Sequence, residues 1–75
     1  MTYFERMRAT REDKDLKQCE VAEMLNIKQQ QYSEYERGAR MIPINYLVDF
    51  CKKLNISSDY ILGLPDDLPN PKTKV

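Results

Sequence analysis

The sequence QCEVAEMLNIKQQQYSEYERG, which runs from Gln18 to Gly38, predicts two short helices joined by a tight turn. Its apolar residues recur at helical spacing, and no part of it alternates polar and apolar residues over the length of a strand. We predict one helix from about Gln18 to Leu25 and the next from about Gln29 to Arg37. Asn26 fits the turn because asparagine tolerates the left-handed backbone conformation, and Gly38 ends the second helix. Two short helices connected so closely must cross steeply, as in a helix-turn-helix unit.

Helical spacing also recurs on both sides of this unit. The further helices are predicted from about Tyr3 to Asp13, from near Pro43 along an apolar stripe that ends at Leu54, and between Ser57 and Gly63. Glycine is scarce, which argues against a glycine-rich phosphate loop and against a sheet with glycine turns. The sequence therefore predicts an all-α fold, with five helices in one compact domain over residues 1–64 and a tail over residues 65–75.

Composition excludes several classes of protein. The chain of 75 residues is 41% hydrophobic and 32% charged, which fits one small soluble domain. With no histidine and only two cysteines, it offers no zinc site, no disulfide framework and no histidine-dependent catalysis. No apolar run approaches the roughly 20 residues that span a bilayer, and the first residues do not resemble a secretory signal. We expect a cytoplasmic protein that is not an enzyme, with no catalytic residue, metal, cofactor, membrane association or evident small-molecule ligand.

The outer face of the third predicted helix is unusually polar. Tyr32 and Tyr35 form its apolar side, and the remaining residues are Gln29, Gln30, Gln31, Ser33, Glu34 and Arg37. A glutamine amide can bond adenine N6 and N7 together, and a recognition helix presents its N-terminal residues to the base edges. The alternative is an ordinary solvated face, since glutamine is a good helix former. The three glutamines alone favour the solvated face.

Many spaced residues along the chain share one family pattern. They are Arg11 to Gln18, Val21, Ala22, Leu25, Ile27, Tyr32, Glu36 to Gly38, Pro43, Leu47, Leu54, Ile56, Ser57 and Tyr60 to Gly63. This set resembles the XRE/Cro/CI helix-turn-helix family, which includes lambdoid phage repressors and many small bacterial regulators. The resemblance covers the chain without a gap from about Tyr3 to Gly63. It implies a lambda-repressor-like five-helix domain that binds operator DNA as a homodimer.

The resemblance also implies roles for individual residues. Base reading is expected at Gln29, Gln30, Ser33 and Glu34. The resemblance implies a contact to a DNA phosphate at Gln18. The placement of the other polar and basic side chains around the helix-turn-helix unit adds expected phosphate contacts at Lys17, Lys28, Gln31, Arg37 and Arg40. Gln18 is expected, in addition, to brace the recognition helix. Arg11 and Glu36 match a structural ion pair of the family, which has a physical basis, since Arg11 lies on the apolar face of the first helix and a buried arginine needs a carboxylate.

Two features of the helix-turn-helix unit depart from the family pattern. Lys17 and Lys28 stand where Ser, Thr or Asn usually caps the next helix, and losing each cap costs roughly 1 kcal/mol. Either these lysines neutralise DNA phosphates, or other groups satisfy the helix amides and the lysines simply point outward. A carboxylate at Glu34 repels phosphates unless it accepts from cytosine N4, and the alternative is that Glu34 is paired with Arg37 or Gln30.

The loop after the third helix is the other departure, because it keeps Arg40 as its only basic residue and carries several apolar residues that look exposed. Monomers rarely leave such a patch open. The residues expected to form a homodimer contact are Met41, Ile42 and Ile44 of this loop and Ser58 and Asp59 of the fifth helix. The alternative is that the loop packs against the C-terminal tail.

The function predicted from these features is sequence-specific binding of double-stranded DNA by a transcriptional regulator. We expect a repressor that acts as a homodimer on a near-palindromic operator. The net charge is zero, from 12 basic and 12 acidic residues, so binding should depend on two half-sites engaged together. The alternative is an antitoxin or anti-regulator that uses the same fold to bind a protein through the apolar loop, which the neutral charge favours.

Overall fold

Five α-helices make up the computed structural model, which describes residues 1–65. They are α1 (Tyr3–Asp13), α2 (Gln18–Met24), α3 (Gln29–Glu36), α4 (Ile44–Leu54) and α5 (Ser58–Leu62). The described part contains no strand, so the predicted all-α fold of five helices is confirmed. None of these helices has the length and apolar character needed to cross a membrane.

The helix boundaries differ from the predicted ones by single residues. α2 and α3 each end one residue earlier than predicted, and Pro43 is the N-cap residue of α4 instead of lying in its first turn. The predicted tail lies, apart from Pro65, outside the described residues.

Each of the five helices ends in the same hydrogen-bonded motif. The left-handed residues that follow them are, in chain order, Asp15, Asn26, Gly38, Asn55 and Gly63. In every case the N–H of the next residue donates to the carbonyl five positions back, at 2.9–3.1 Å. The left-handed residue itself donates to the carbonyl three positions back. This Schellman motif satisfies carbonyls that a helix end would otherwise leave unpaired, and the turn predicted at Asn26 is confirmed.

Side chains cap the first and last helices at their N-terminal ends. Thr2 Oγ1 accepts from Glu5 N at 3.2 Å, and Glu5 Oε1 accepts from Thr2 N at 2.7 Å, which is a reciprocal capping box. Ser57 Oγ accepts from Asp59 N at 3.1 Å, so Ser57 caps α5 as predicted.

One apolar core joins the helices. Its largest fully buried side chains are Tyr32, Phe50, Met7, Ile61 and Val21. The Tyr32 and Phe50 rings stack with their centroids 6.5 Å apart. Ile42 also belongs to this core, with 7% of its surface exposed, so the prediction of an exposed Ile42 was wrong. Burying this side chain removes its apolar surface from water even though it lies in a connecting segment.

The end of α3 is closely covered by α1. Gly38 has a φ of 75°, and a Cβ atom added there would lie 2.6 Å from Phe4 Cζ. Both the left-handed backbone and the Phe4 ring therefore require glycine at this position. At the other end of the core, Arg6 Nη1 donates to the Tyr60 carbonyl at 3.0 Å, which links α1 to α5.

Candidate nucleic-acid interface

α3 has an anchored side and an exposed side. Tyr32, Tyr35 and Glu36 are buried, and helical spacing puts them on one face. The opposite face carries Gln30, Ser33, Glu34 and Arg37, which are exposed or half-buried. Gln29 is exposed in the first turn, ahead of the anchored residues. The residues expected to read bases therefore all reach solvent from the same helix.

A hydrogen-bonded network fixes the C-terminal end of α3 to α1 and α2. Arg11 Nε donates to Glu36 Oε2 at 2.8 Å, and Arg11 Nη2 donates to Glu36 Oε1 at 2.9 Å. Gln18 Nε2 donates to the same Glu36 Oε1 at 3.0 Å, and Arg11 Nη1 donates to the Leu16 carbonyl at 2.8 Å. The Arg11 and Glu36 side chains are only 12% and 3% exposed. The structure thus brings the two expected partners together, while one amide hydrogen of Gln18 is taken up by Glu36 instead of being free for a phosphate.

The environment of this network keeps both charges in place at neutral pH. Burial acts to raise the pKa of Glu36, but the hydrogen bonds from Arg11 and Gln18 and the Arg11 charge outweigh it, so the pKa lies below its usual value. The hydrogen bond to Glu36 raises the pKa of Arg11. The Tyr32 hydroxyl is buried beside the pair and has no hydrogen-bond partner within residues 1–65. Burial and the nearby Glu36 carboxylate raise the pKa of Tyr32, so its phenol stays neutral.

The two lysines that precede α2 and α3 are exposed and do not cap either helix through their side chains. The Lys17 backbone N–H donates to Glu20 Oε1 at 2.8 Å, which is one half of a capping box. The sequence analysis did not identify Glu20 in this role, although a glutamate three residues after the N-cap is a recognised signal. Both ammonium groups therefore remain available to a partner in solution.

Gln31 is less available than the other two glutamines. It is half-buried, and its Nε2 donates to Tyr35 Oη at 2.9 Å, four residues further along the same helix. One of the two amide hydrogens of Gln31 is therefore already used within α3, and one remains for the expected phosphate contact. Arg37 follows the helix directly and is exposed.

Glu34 has a different partner from the two considered in the sequence analysis. Arg40 Nη1 lies 3.6 Å from Glu34 Oε1, and no ion pair or hydrogen bond joins the Glu34 side chain to Arg37 or Gln30 in the described part. Helical spacing suggested the wrong partners because the chain turns back at Gly38 and brings the following loop beside α3. The Glu34 and Arg40 side chains are 26% and 61% exposed.

An apolar groove of about 470 Å³ lies beside the loop between α3 and α4. Its lining includes the strongly exposed Met41 and Ile44, together with Leu62 of α5. Ser58 and Asp59, which were expected at this contact, do not line the groove among the residues described. The position of Leu62 at the other end of the short α5 explains the difference, since it is this end that faces the loop.

No cluster of three or more histidine, cysteine, aspartate or glutamate side chains that could hold a metal ion occurs within residues 1–65. Chemically, the described surface thus offers amide, carboxylate, guanidinium and ammonium groups around α3 and an apolar groove beside α5. The first set can make directional hydrogen bonds to base edges and phosphates.

Comparison with known proteins shows the family to which the chain belongs. The model of the helix-turn-helix family HTH_3 matches residues 7–61 of the chain. The chain is also 36% identical over 72 residues to YobD, an uncharacterized HTH-type transcriptional regulator of Bacillus subtilis (strain 168). That alignment covers 96% of the chain but 63% of the relative, so the chain spans less than two thirds of the length of this protein. No solved structure gives a significant match.

Proposed function

Because the chain belongs to the helix-turn-helix family of the XRE/Cro/CI type, we propose that it is a sequence-specific, double-stranded DNA-binding transcriptional regulator that acts as a repressor. The observation that carries this proposal is the division of α3. One face is fixed to the core through Tyr32, Tyr35 and Glu36, and the first turn presents Gln29 and Gln30 to solvent. A helix held this way can enter a major groove without losing its own packing.

Base reading is assigned first to Gln29 and Gln30. Each glutamine amide can make a bidentate contact to adenine, worth about 1–3 kcal/mol of discrimination against other bases. Ser33 lies one turn after Gln30 on the same exposed side, where its hydroxyl can contact several bases. Glu34 follows Ser33, and its role depends on the positive charge of its ion-pair partner Arg40.

Phosphate contacts are assigned to the exposed cations around the helix-turn-helix unit. These are Lys17, Lys28, Arg37 and Arg40, with secondary contributions from the remaining amide hydrogens of Gln18 and Gln31. Four cations in each chain give a modest electrostatic attraction, since the whole chain is neutral. Useful affinity therefore requires two chains bound to two half-sites about one helical turn apart.

The homodimer contact is placed on the apolar groove. Met41 and Ile44 are 82% and 70% exposed, and Leu62, which is 45% exposed, lines the same groove. A second copy that covers these side chains would remove an exposed apolar patch from water. Ile42 also lines the groove, but it is only 7% exposed and therefore offers little surface to a second copy.

The central experiment is selection of bound sequences from a random duplex pool, followed by affinity measurements on the enriched site. Gln29→Ala or Gln30→Ala should weaken binding to that site by about 1–3 kcal/mol and relax the preference at one base pair. Asn45→Ala, at an exposed position on α4, is the matched control and should leave binding unchanged. An unaltered base preference in both glutamine variants would contradict base reading by α3.

The phosphate assignments have their own signature. Lys17→Ala or Lys28→Ala should weaken binding to all duplexes alike and reduce the salt dependence by about one charge. Lys52→Ala, at an exposed lysine in the last turn of α4, is the control. A preference that changes at a particular base in a lysine variant would show that the side chain does more than neutralise a phosphate.

A protein-interaction module, such as an antitoxin or anti-regulator, is the second candidate. The apolar groove at Met41, Ile44 and Leu62 favours it, because the same surface can receive a different protein. Salt-dependent binding to random duplex DNA and a dimer in analytical ultracentrifugation support the repressor. A strict monomer with no affinity for any duplex would support the second candidate.

A further inference from the structure

Glu34 and Arg40 are tied together by both side chain and backbone. Besides the ion pair at 3.6 Å, the Arg40 N–H donates to the Glu34 carbonyl at 3.2 Å, and the Ala39 N–H donates to it at 2.9 Å. These backbone bonds belong to the turn that Gly38 makes in its left-handed conformation. The position of Arg40 beside Glu34 is therefore a consequence of how α3 ends.

Glu34 and Arg40 both keep hydrogen-bonding groups that the ion pair does not occupy. Glu34 engages one carboxylate oxygen with Arg40, and within residues 1–65 no ion pair or hydrogen bond is made by the other. Arg40 is 61% exposed, and a guanidinium has five N–H donors in a planar fork. It can thus hold the Glu34 carboxylate and still donate to a phosphate oxygen of bound DNA.

We propose that Arg40 is a specificity-determining residue that acts through Glu34, by bridging the carboxylate to a DNA phosphate so that Glu34 can accept from cytosine N4. This rests on the proposed DNA binding by α3. A carboxylate only accepts hydrogen bonds, so in the major groove it rejects the carbonyl oxygens of thymine and guanine. It favours cytosine N4 over adenine N6, because adenine places the N7 acceptor beside its amino group. Arg40 supplies the positive charge that prevents repulsion between this carboxylate and the phosphates.

The experiment repeats the selection from random duplexes with five variants of the 75-residue chain. Glu34→Gln and Arg40→Ala should each relax a cytosine preference at the same base pair of the half-site, by about tenfold. Arg40→Ala added to Glu34→Gln should relax it no further. Arg37→Ala is the matched control, because Arg37 is exposed near the same helix end but makes no ion pair in the described part. It should lower affinity for all sequences alike.

Arg40→Lys separates positioning from charge alone. Lysine keeps the positive charge without the fork, so it should restore part of the cytosine preference lost in Arg40→Ala. If Arg40→Ala lowers affinity by the same factor for every sequence, Arg40 is only a phosphate ligand and the inference is overturned. If Glu34→Gln leaves every base preference unchanged, the inference is overturned too. A wild-type chain that enriches no sequence would instead refute the proposed function itself.

Discussion

Removing either partner of the Arg11–Glu36 ion pair should lower the free energy of unfolding more than most single substitutions in the described part of the chain. Glu36→Ala removes three hydrogen bonds of 2.8–3.0 Å and leaves a guanidinium that is only 12% exposed without its carboxylate. Breaking a buried pair by removing one partner costs about 3–5 kcal/mol. A chain of 75 residues has a total free energy of unfolding of about 4–11 kcal/mol, so one substitution removes a large fraction of it.

Unfolding by urea and by heat, followed by circular dichroism at 222 nm, measures this loss. The melting temperature should fall by at least about 12 °C in Glu36→Ala and in Arg11→Met, since each kcal/mol shifts it by about 4–8 °C in a domain of this size. The double variant Arg11→Met/Glu36→Ala should lose clearly less than the sum of the two single variants, because it leaves no unpaired buried charge. The exposed pair Arg8–Glu12, at 3.6 Å, is the control: Arg8→Met should cost no more than about 0.5 kcal/mol.

The pH dependence gives an independent test of the same pair. The pKa of Glu36 is lowered in the folded chain, so the stabilisation is fully present above its ordinary value of 4.5 and is lost as the pH falls through the folded value. Arg11→Met should lose this dependence, and its disadvantage against wild type should shrink in acid. The coupling would be refuted if either single variant cost less than about 1 kcal/mol, the range of exposed pairs, or if the double variant lost the sum of both.

Four further changes test the helix ends. Gly38→Ala should lower stability by more than about 1 kcal/mol, because the new Cβ meets Phe4 as well as the left-handed strain, and Gly63→Ala should cost less, since its nearest neighbour is 3.7 Å away. Asn55→Gly should raise stability by up to about 1 kcal/mol by relieving the same strain. Lys17→Ser should raise it by roughly 1 kcal/mol by adding a cap while weakening DNA binding. Thermal melts check all four, and a midpoint that does not move contradicts the reason given for that position.

The number, order and type of the helices could be predicted because the signals are local. Each helix end in the described part is marked by an aspartate, asparagine or glycine in the left-handed conformation, and the next residue is apolar in every case. Apolar spacing within each helix then fixes which face is buried. Neither signal needs knowledge of distant contacts.

Pairings made after the chain turns back could not be predicted in the same way. Glu34 meets Arg40 instead of a partner at helical spacing, because the turn at Gly38 brings the next loop beside α3. The burial of Ile42 depends on how that loop crosses the core, which the loop sequence does not encode by itself. Gln31 and Tyr35 are four residues apart, so that bond could have been anticipated.

The separation of the two faces of α3 also bears on how such a protein can change its target. The core holds α3 through the buried Tyr32, Tyr35 and Glu36, whereas Gln29 and Gln30 are exposed and make no part of the core. The exposed residues of α3 can therefore be replaced together by those of another regulator, and the free energy of unfolding should change little. Under the proposed function, a lineage built on this plan can acquire a new DNA target in a few substitutions and need not repack its interior.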